Sequence, residues 1–282
     1  MTISIKLMGG LGNQLFQIFT LIACSLEYKY PFYLPSNKID MISPVDKSSK
    51  RPLYWDNFLK SLKPFTKELK FKSNRFERSY HYTKLVNLKE DAILHGYFQS
   101  YLYFEDYYDQ ILKYIRLNES KELVKEKYNY YFNNTTISIH FRIGDYVKAP
   151  GHHNILSIEY YKKAINGILN NSSNGEKITL LFFGEEINDY IIENNISILK
   201  NTFSNKFELE YKKIDYNIED WEQLLLMSLC NHNIIANSSF SWWGAYFNNN
   251  KDKIVYAPSR WFAPVSRKTP NLIPKSWNII NI

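Results

Sequence analysis

Cysteine is the rarest residue in this 282-residue chain, with two copies, Cys24 and Cys230. They lie far apart in apolar runs, which argues against a disulfide framework or a zinc site and fits a reducing compartment. Glycine and proline are sparse, 10 of each, so collagen-like repeats and proline-rich linkers are excluded. No apolar run reaches the roughly 18 residues of a membrane span. Met1 to Met8 lacks the basic and apolar regions of a secretory leader. The expectation is a soluble, cytoplasmic protein. Asp-x-Asp, His-Glu-x-x-His and Gly-x-Ser-x-Gly are all missing, and none of the six histidines stands at a metal-binding spacing from another. Metal-assisted chemistry is therefore disfavoured, and no cofactor is expected.

Hydrophobic residues make up 45% and charged residues 22%, ordinary for a globular chain with room for two domains or one large one. The net charge of +7 is unevenly spread. Between Asp46 and Lys84, eleven basic residues face four acidic ones, so this segment carries the whole excess. It reads as a solvated face, or as a surface for an anionic substrate or peripheral contact with the anionic inner face of a membrane. Nucleic-acid binding would rest on this segment alone and is not expected.

Ile3 to Met8 alternates like a strand, Gly9-Gly10-Leu11-Gly12 breaks it, and Gln14 to Tyr28 suits a buried helix. Ala92 to Gln99 reads as a strand and turn, and Phe104 to Tyr130 as one helix. Asn133 to Thr135 is the best boundary, giving domains 1–133 and 134–282. The second half alternates strands at 136–141, 178–183, 233–236 and 253–257 with helices at 158–169, 189–200, 221–230 and 242–248. Such alternation implies an α/β fold with a parallel sheet.

Three segments could carry chemistry. Gly9-Gly-Leu-Gly-Asn-Gln-Leu-Phe-Gln17 is a glycine turn opening a helix, whose free N–H groups suit an anion or a close-packed sugar. It lacks the Gly-Lys-Ser/Thr of a P-loop and the third glycine of a dinucleotide fingerprint. Asn13 and Gln14 add amides that both donate and accept. His140-Phe-Arg142-Ile-Gly144-Asp145-Tyr146 follows a strand. An arginine there can clamp a diphosphate in two-pronged fashion, or brace a turn through Asp145. Asn237-Ser238-Ser239-Phe240-Ser241-Trp-Trp-Gly244 joins a strand to a helix and offers hydroxyls and helix-terminal amides to a phosphate; a capped helix with an aromatic core plug is the alternative.

These segments, with Gly96-Tyr-Phe-Gln-Ser, Tyr160-Tyr-Lys-Lys-Ala-Ile and His232-Asn-Ile-Ile-Ala, occur in the order seen in the α-1,2-fucosyltransferases of glycosyltransferase family 11, which the chain resembles from residue 5 to about 278. The resemblance implies a GT-B fold: two Rossmann-like domains with parallel sheets facing across a cleft, the N-terminal one on the acceptor side and the C-terminal one holding the donor. The implied reaction moves L-fucose from GDP-β-L-fucose to the 2-hydroxyl of a terminal galactoside with inversion, as in O-antigen-type oligosaccharide synthesis. By position, Arg142 matches the phosphate-binding arginine, His140 the residue beside the nucleotide, and Ser238 to Ser241, after Asn237, the donor loop. Asn13, with Gly10 and Gly12, matches the N-terminal loop facing the donor. Ile143 stands where the family usually has a second arginine. Gly184-Glu185-Glu186 replaces a Ser-Asp-Asp run, leaving Glu185 as the carboxylate for guanine. The catalytic assignment is Arg142, Asp145 and His140; for the general base, Asp145, Glu185, His152 and His153 remain open. A transferase for another GDP-sugar and a catalytically inactive carbohydrate- or nucleotide-binding protein are the alternatives. The oligomeric state is not legible.

Overall fold

The computed structural model describes residues 1–36, 41–42, 50–68, 73–86, 88, 91–148, 151–173, 175–204 and 207–282. The chain forms two compact units, 1–120 with 268–274, and 121–267 with 275–282. Each is an α/β unit on a parallel sheet, as expected. The division falls at Ser120 and Lys121, earlier than the expected 133/134. The strand signal at Thr135 is what the sequence displays, whereas Lys121 is already buried among residues of the second unit. Residues 268–274 return to the first unit, where the Asn271 carbonyl accepts from Ser100 Oγ at 2.7 Å.

The N-terminal unit contains β1 (Ile3–Ile5), β2 (Phe32–Pro35), the antiparallel pair β3 (Met41–Ile42) and β4 (Lys50–Arg51), β5 (Thr66–Lys67), β6 (Ser73–Phe76) and β7 (Ala92–His95). The parallel sheet has the order β5-β2-β1-β7-β6. After β1 comes α1 (Leu11–Tyr28), whose inward face is continuous from Leu15 to Cys24. The single helix expected over 104–130 is instead a 3₁₀ turn (Glu105–Tyr107), α2 (Tyr108–Ile115), α3 (Leu117–Lys127) and a second 3₁₀ turn beginning at Asn129. Arg116 separates them with φ 51°, a left-handed cap that apolar periodicity does not reveal.

The C-terminal unit runs β8 (Thr135–His140), α4 (Ile158–Leu169), β9 (Lys177–Phe183), α5 (Asp189–Phe203), β10 (Glu208–Lys213), α6 (Asp220–Leu229), β11 (His232–Ile234), α7 (Ser239–Tyr246), β12 (Val255–Pro258) and β13 (Asn278–Ile280). The order β10-β9-β8-β11-β12-β13 is parallel throughout. Numbered from β8 this is 3-2-1-4-5-6, the doubly wound nucleotide-binding arrangement. Its core joins Ile137, Ile139, Leu180 and Phe182 to Ile165, Ile168, Ile196 and Leu199 from the covering helices. β10 and β13 were not anticipated. Glu208–Lys213 is charged and only partly buried, and Asn278–Ile280 has three residues, so neither shows a core strand's apolar run.

Candidate active site

In a sheet of this order the ligand crevice lies where the winding reverses, beyond the carboxyl ends of the first and fourth strands. Here those are β8 and β11, and the loops leaving them are His140–Tyr146 and Asn237–Ser241. The two loops touch: Tyr146 Oη donates to the Asn237 carbonyl at 2.7 Å, and the His140 and Phe240 rings lie 5.8 Å apart. Asn237, fully buried, is fixed by its own amide donating to the carbonyls of Asn154 and Trp261.

Arg142 leaves the sheet just after Phe141, whose ring stacks on Phe182 at 5.8 Å. Its side chain is 17% exposed, and Nη1 lies 2.5 Å from Glu185 Oε1. The guanidinium also lies over the Tyr146 ring, 5.0 Å from its centroid. Tyr146 in turn stacks on His153 at 4.1 Å and 8°, His153 contacts Phe262 at 5.5 Å, and Arg267 lies over Phe262. Arg142 is therefore aimed by a carboxylate and by an aromatic ladder, a flat arrangement that suits a guanidinium and not an ammonium. Gly144 has φ +21°, and a Cβ there would meet Glu185 Oε2. A larger residue would push away the carboxylate that holds Arg142.

His140 is 5% exposed, and burial, then the nearby Arg142 charge, pulls its imidazole down to about 3. It is neutral at physiological pH, and its buried Nδ1 has no partner among the described residues. α7 begins at Ser238, an extended N-cap whose side chain makes no capping bond, with Ser239 and Phe240 partly exposed. Its N–H groups and the positive end of its dipole are thus not consumed by the cap. Ser241 is turned inward, Oγ donating to the Ser238 carbonyl at 3.4 Å, so of the three hydroxyls Ser239 is the most accessible. Trp242 and Trp243 are fully buried, so the aromatic-plug reading holds for both.

Ile143 is 5% exposed within the unit's core, so this position cannot supply a second clamp. The backbone of Asp145 and Lys148 is in a 3₁₀ turn; their side chains lie outside what is described. His152 is exposed, its carbonyl accepting from Ala263. Glu185, expected at guanine, is bound to Arg142.

Two lysines escaped sequence reading. Lys121 Nζ donates to the carbonyl of Phe247 at 3.0 Å, and Lys253 Nζ to those of Ala245 and Asn248. Burial pulls both ammoniums down to about 8, with Lys253's charge adding to the effect on Lys121. They cap the carboxyl end of α7, whose amino end lies at the β8/β11 crevice. Lys121 is buried and Lys253 partly so; in a chain with 35 Lys and Arg, nothing local marks these two out.

In the N-terminal unit, Gly10 is the open N-cap of α1, Gly12 is buried and Asn13 is partly exposed. Gln14 is fully buried, its amide donating to the carbonyls of Gly9 and Pro52, so it braces the loop. Several of the segment's basic groups are engaged: Lys63 with Asp56, Lys84 with Glu27, and Lys67 over the Tyr33 ring; Lys47, Lys70 and Lys72 lie outside the described residues. Both cysteines are buried, and burial pushes their thiols up to about 12. Among the described residues, no three His, Cys, Asp or Glu side chains group to hold a metal, and no helix is long and apolar enough to cross a membrane.

The sequence model of glycosyl transferase family 11 matches residues 1–281. The chain belongs to glycosyltransferase family 11. Among its relatives, the O-antigen biosynthesis glycosyltransferase WbnK of Escherichia coli is 32% identical over 200 residues, 63% of this chain and 58% of WbnK. An alpha-1,2-colitosyltransferase of Escherichia coli is 28% identical over 294 residues, covering 96% of both chains. Among solved structures, a GDP complex of a mutant Arabidopsis thaliana FUT1 matches 98% of this chain and 75% of its own at 13% identity and TM-score 0.49.

Proposed function

We propose that this family 11 glycosyltransferase moves L-fucose from GDP-β-L-fucose to the 2-hydroxyl of a terminal galactoside, forming an α-1,2 linkage with inversion. The observation that carries the reading is the convergence of two family motifs at the one strand-order reversal of the C-terminal sheet, with a preset arginine on one loop and an uncapped helix N-terminus on the other. A departing nucleoside diphosphate needs that combination: planar two-pronged donation and preorganised dipoles where charge develops. Arg142 and the amides of Ser239 and Phe240 stabilise the leaving diphosphate, and neutral His140 offers a hydrogen bond beside it. The diphosphate displaces Glu185 from Arg142, and the freed carboxylate accepts from the N1–H and exocyclic amine of guanine. Asp145 is the residue of the motif left to take the acceptor proton.

One observation favours a second reading. The relative matched over 96% of this chain is an α-1,2-colitosyltransferase, so the same site could serve a different deoxysugar on the same nucleotide. Incubating the protein with a galactoside and, in turn, GDP-fucose, GDP-colitose and GDP-mannose, with released GDP and product linkage measured, tests both. Turnover with GDP-fucose and an α-1,2 product supports the first reading; turnover with GDP-colitose alone replaces it with the second. GDP release from none would refute both.

A further inference from the structure

The N-terminal sheet has a reversal of its own. From β1 the chain winds to β2 and β5 on one side, then returns through β6 to β7 on the other, so the order changes direction between β1 and β7. The rule that places a ligand crevice beyond the first and fourth strands of the other sheet applies here to the loops after β1 and β7. The loop after β7 is bonded to the first turn of α1, which follows the loop after β1: Gln99 Nε2 donates to Asn13 Oδ1 at 2.8 Å.

That bond fixes what each amide can offer. Asn13 Oδ1 accepts from Gln99, so its Nδ2, which lies close to Gly9, is the side chain's donor beside the amino end of α1, an eighteen-residue helix whose cap, Gly10, has no side chain and has open space around it. Gln99 uses one amide hydrogen in that bond and keeps Oε1, a buried acceptor with no partner among the described residues, on a residue 8% exposed. The loop after β7 is held rigidly. Glu77 Oε2 accepts from the N–H groups of Tyr97 at 2.8 Å and Phe98 at 3.0 Å, and Phe98, fully buried, is forced to φ 50°. Backbone strain of this kind persists where surroundings over-determine it, commonly at binding sites.

We infer that Asn13, Gln99 and the amino end of α1 form a recognition site for a sugar hydroxyl at the β1/β7 reversal. One donor and one acceptor side by side match a hydroxyl, which both accepts and donates. A phosphate oxygen at neutral pH offers lone pairs alone and would face Gln99 Oε1 unfavourably, in a loop that also carries the Glu77 carboxylate on the N–H groups of Tyr97 and Phe98. Gly9–Gln17 and Gly96–Tyr101 contain no Lys or Arg to offset that. The site therefore differs in kind from the one at Arg142, and its ligand is either the fucosyl group of the donor or the galactoside acceptor. This inference rests on the transferase reading for the identity of those two sugars.

The test is titration of the full chain and its Asn13→Asp and Gln99→Leu variants with GDP, GDP-fucose and lactose, with thermal unfolding recorded for each. Asn13→Asp keeps an acceptor for Gln99 and replaces the Nδ2 donor with a carboxylate oxygen, so it reports on the site even where Gln99→Leu destabilises the fold. The expected result is GDP affinity unchanged within about twofold, and a loss of at least about tenfold in either the preference for GDP-fucose over GDP or the affinity for lactose. The arm that falls identifies the sugar. GDP affinity falling by the same factor would make this a phosphate site and overturn the inference. So would folded variants that bind all three probes normally. Wild-type protein that binds lactose but not GDP would refute the proposed donor and leave this site judged on the lactose arm.

Discussion

At the strand-order reversal of the C-terminal unit stand Arg142, a neutral buried imidazole at the end of β8, and a helix whose far terminus is capped by one buried and one partly buried lysine. At the reversal of the N-terminal unit, the loops carry amides and no cation. The two sheets use one winding rule, yet the first crevice is equipped to take negative charge and the second to match neutral hydroxyls. What differs is side-chain chemistry at the strand ends, because sheet topology only chooses where the ends meet. The strands differ too. β8, β9 and β10 span six or seven residues each, whereas those of the N-terminal sheet have two to four.

The sharpest way to break the contrast is to remove the cation. Arg142→Ala should abolish measurable transfer, and Arg142→Lys should remain at least about a hundredfold below wild type, because a point ammonium cannot replace two-pronged donation in the transition state. Initial rates on folded protein decide this; near-normal activity of the lysine variant would contradict it.

Acid sensitivity should be the next largest effect, and it belongs to the C-terminal unit. His140 titrates near 6.5 when unfolded and about 3 when folded, so the unfolded chain takes up the proton first. Stability is fully present above about pH 6.5 and falls as pH drops toward 3, by a total on the order of 4–5 kcal/mol if the protein stays folded that far. Denaturant melts of wild type and His140→Gln between pH 7 and 4.5 check the sign: the variant should lose much of the slope.

Tyr146 sharpens the comparison further, since the rings beside the N-terminal site, Phe98, Tyr103 and Tyr82, carry no cation among the described residues. Tyr146→Leu removes the ring under Arg142 and should lower kcat by about 2- to 30-fold, the range of a partly desolvated cation–π contact. Tyr146→Phe keeps the ring, loses one hydrogen bond to Asn237, and should recover most of it. A purely structural role predicts instead that activity tracks thermal stability in both variants.

A smaller effect concerns Glu185. If its carboxylate competes with the diphosphate for Arg142 and also grips guanine, Glu185→Ala should bind inorganic pyrophosphate more tightly and GDP more weakly, each by a few-fold. Competition assays against GDP-fucose with both inhibitors read this directly; parallel changes in the two would mean that Glu185 acts in only one of these ways.

Much of this was legible in the residues, and unequally so. The Ile-rich and Phe-rich runs of β8 and β9 and the glycine break before α1 announce themselves, because a strand buried on both faces must be apolar. β10 hides behind alternating charge, and Arg116 breaks a helix through a single positive φ. At the site, strand-loop-helix spacing brought out Arg142, His140 and Asn237 to Ser241. The ion pair that puts Glu185 on Arg142, and the role of Tyr146, depend on side chains from separate loops meeting. Glu77 is one of the four acids in the basic segment; only its partial burial and two backbone hydrogen bonds distinguish it.

The central claim is that the β8/β11 crevice takes the nucleotide's diphosphate. A crystal structure of the protein with GDP tests it most directly. The diphosphate should lie against Arg142 and the amino end of α7, with Glu185 moved off Arg142 and Ile143 still in the core. A diphosphate lodged instead on the Gly9–Gly12 loop, with the Arg142–Glu185 pair intact, would contradict it.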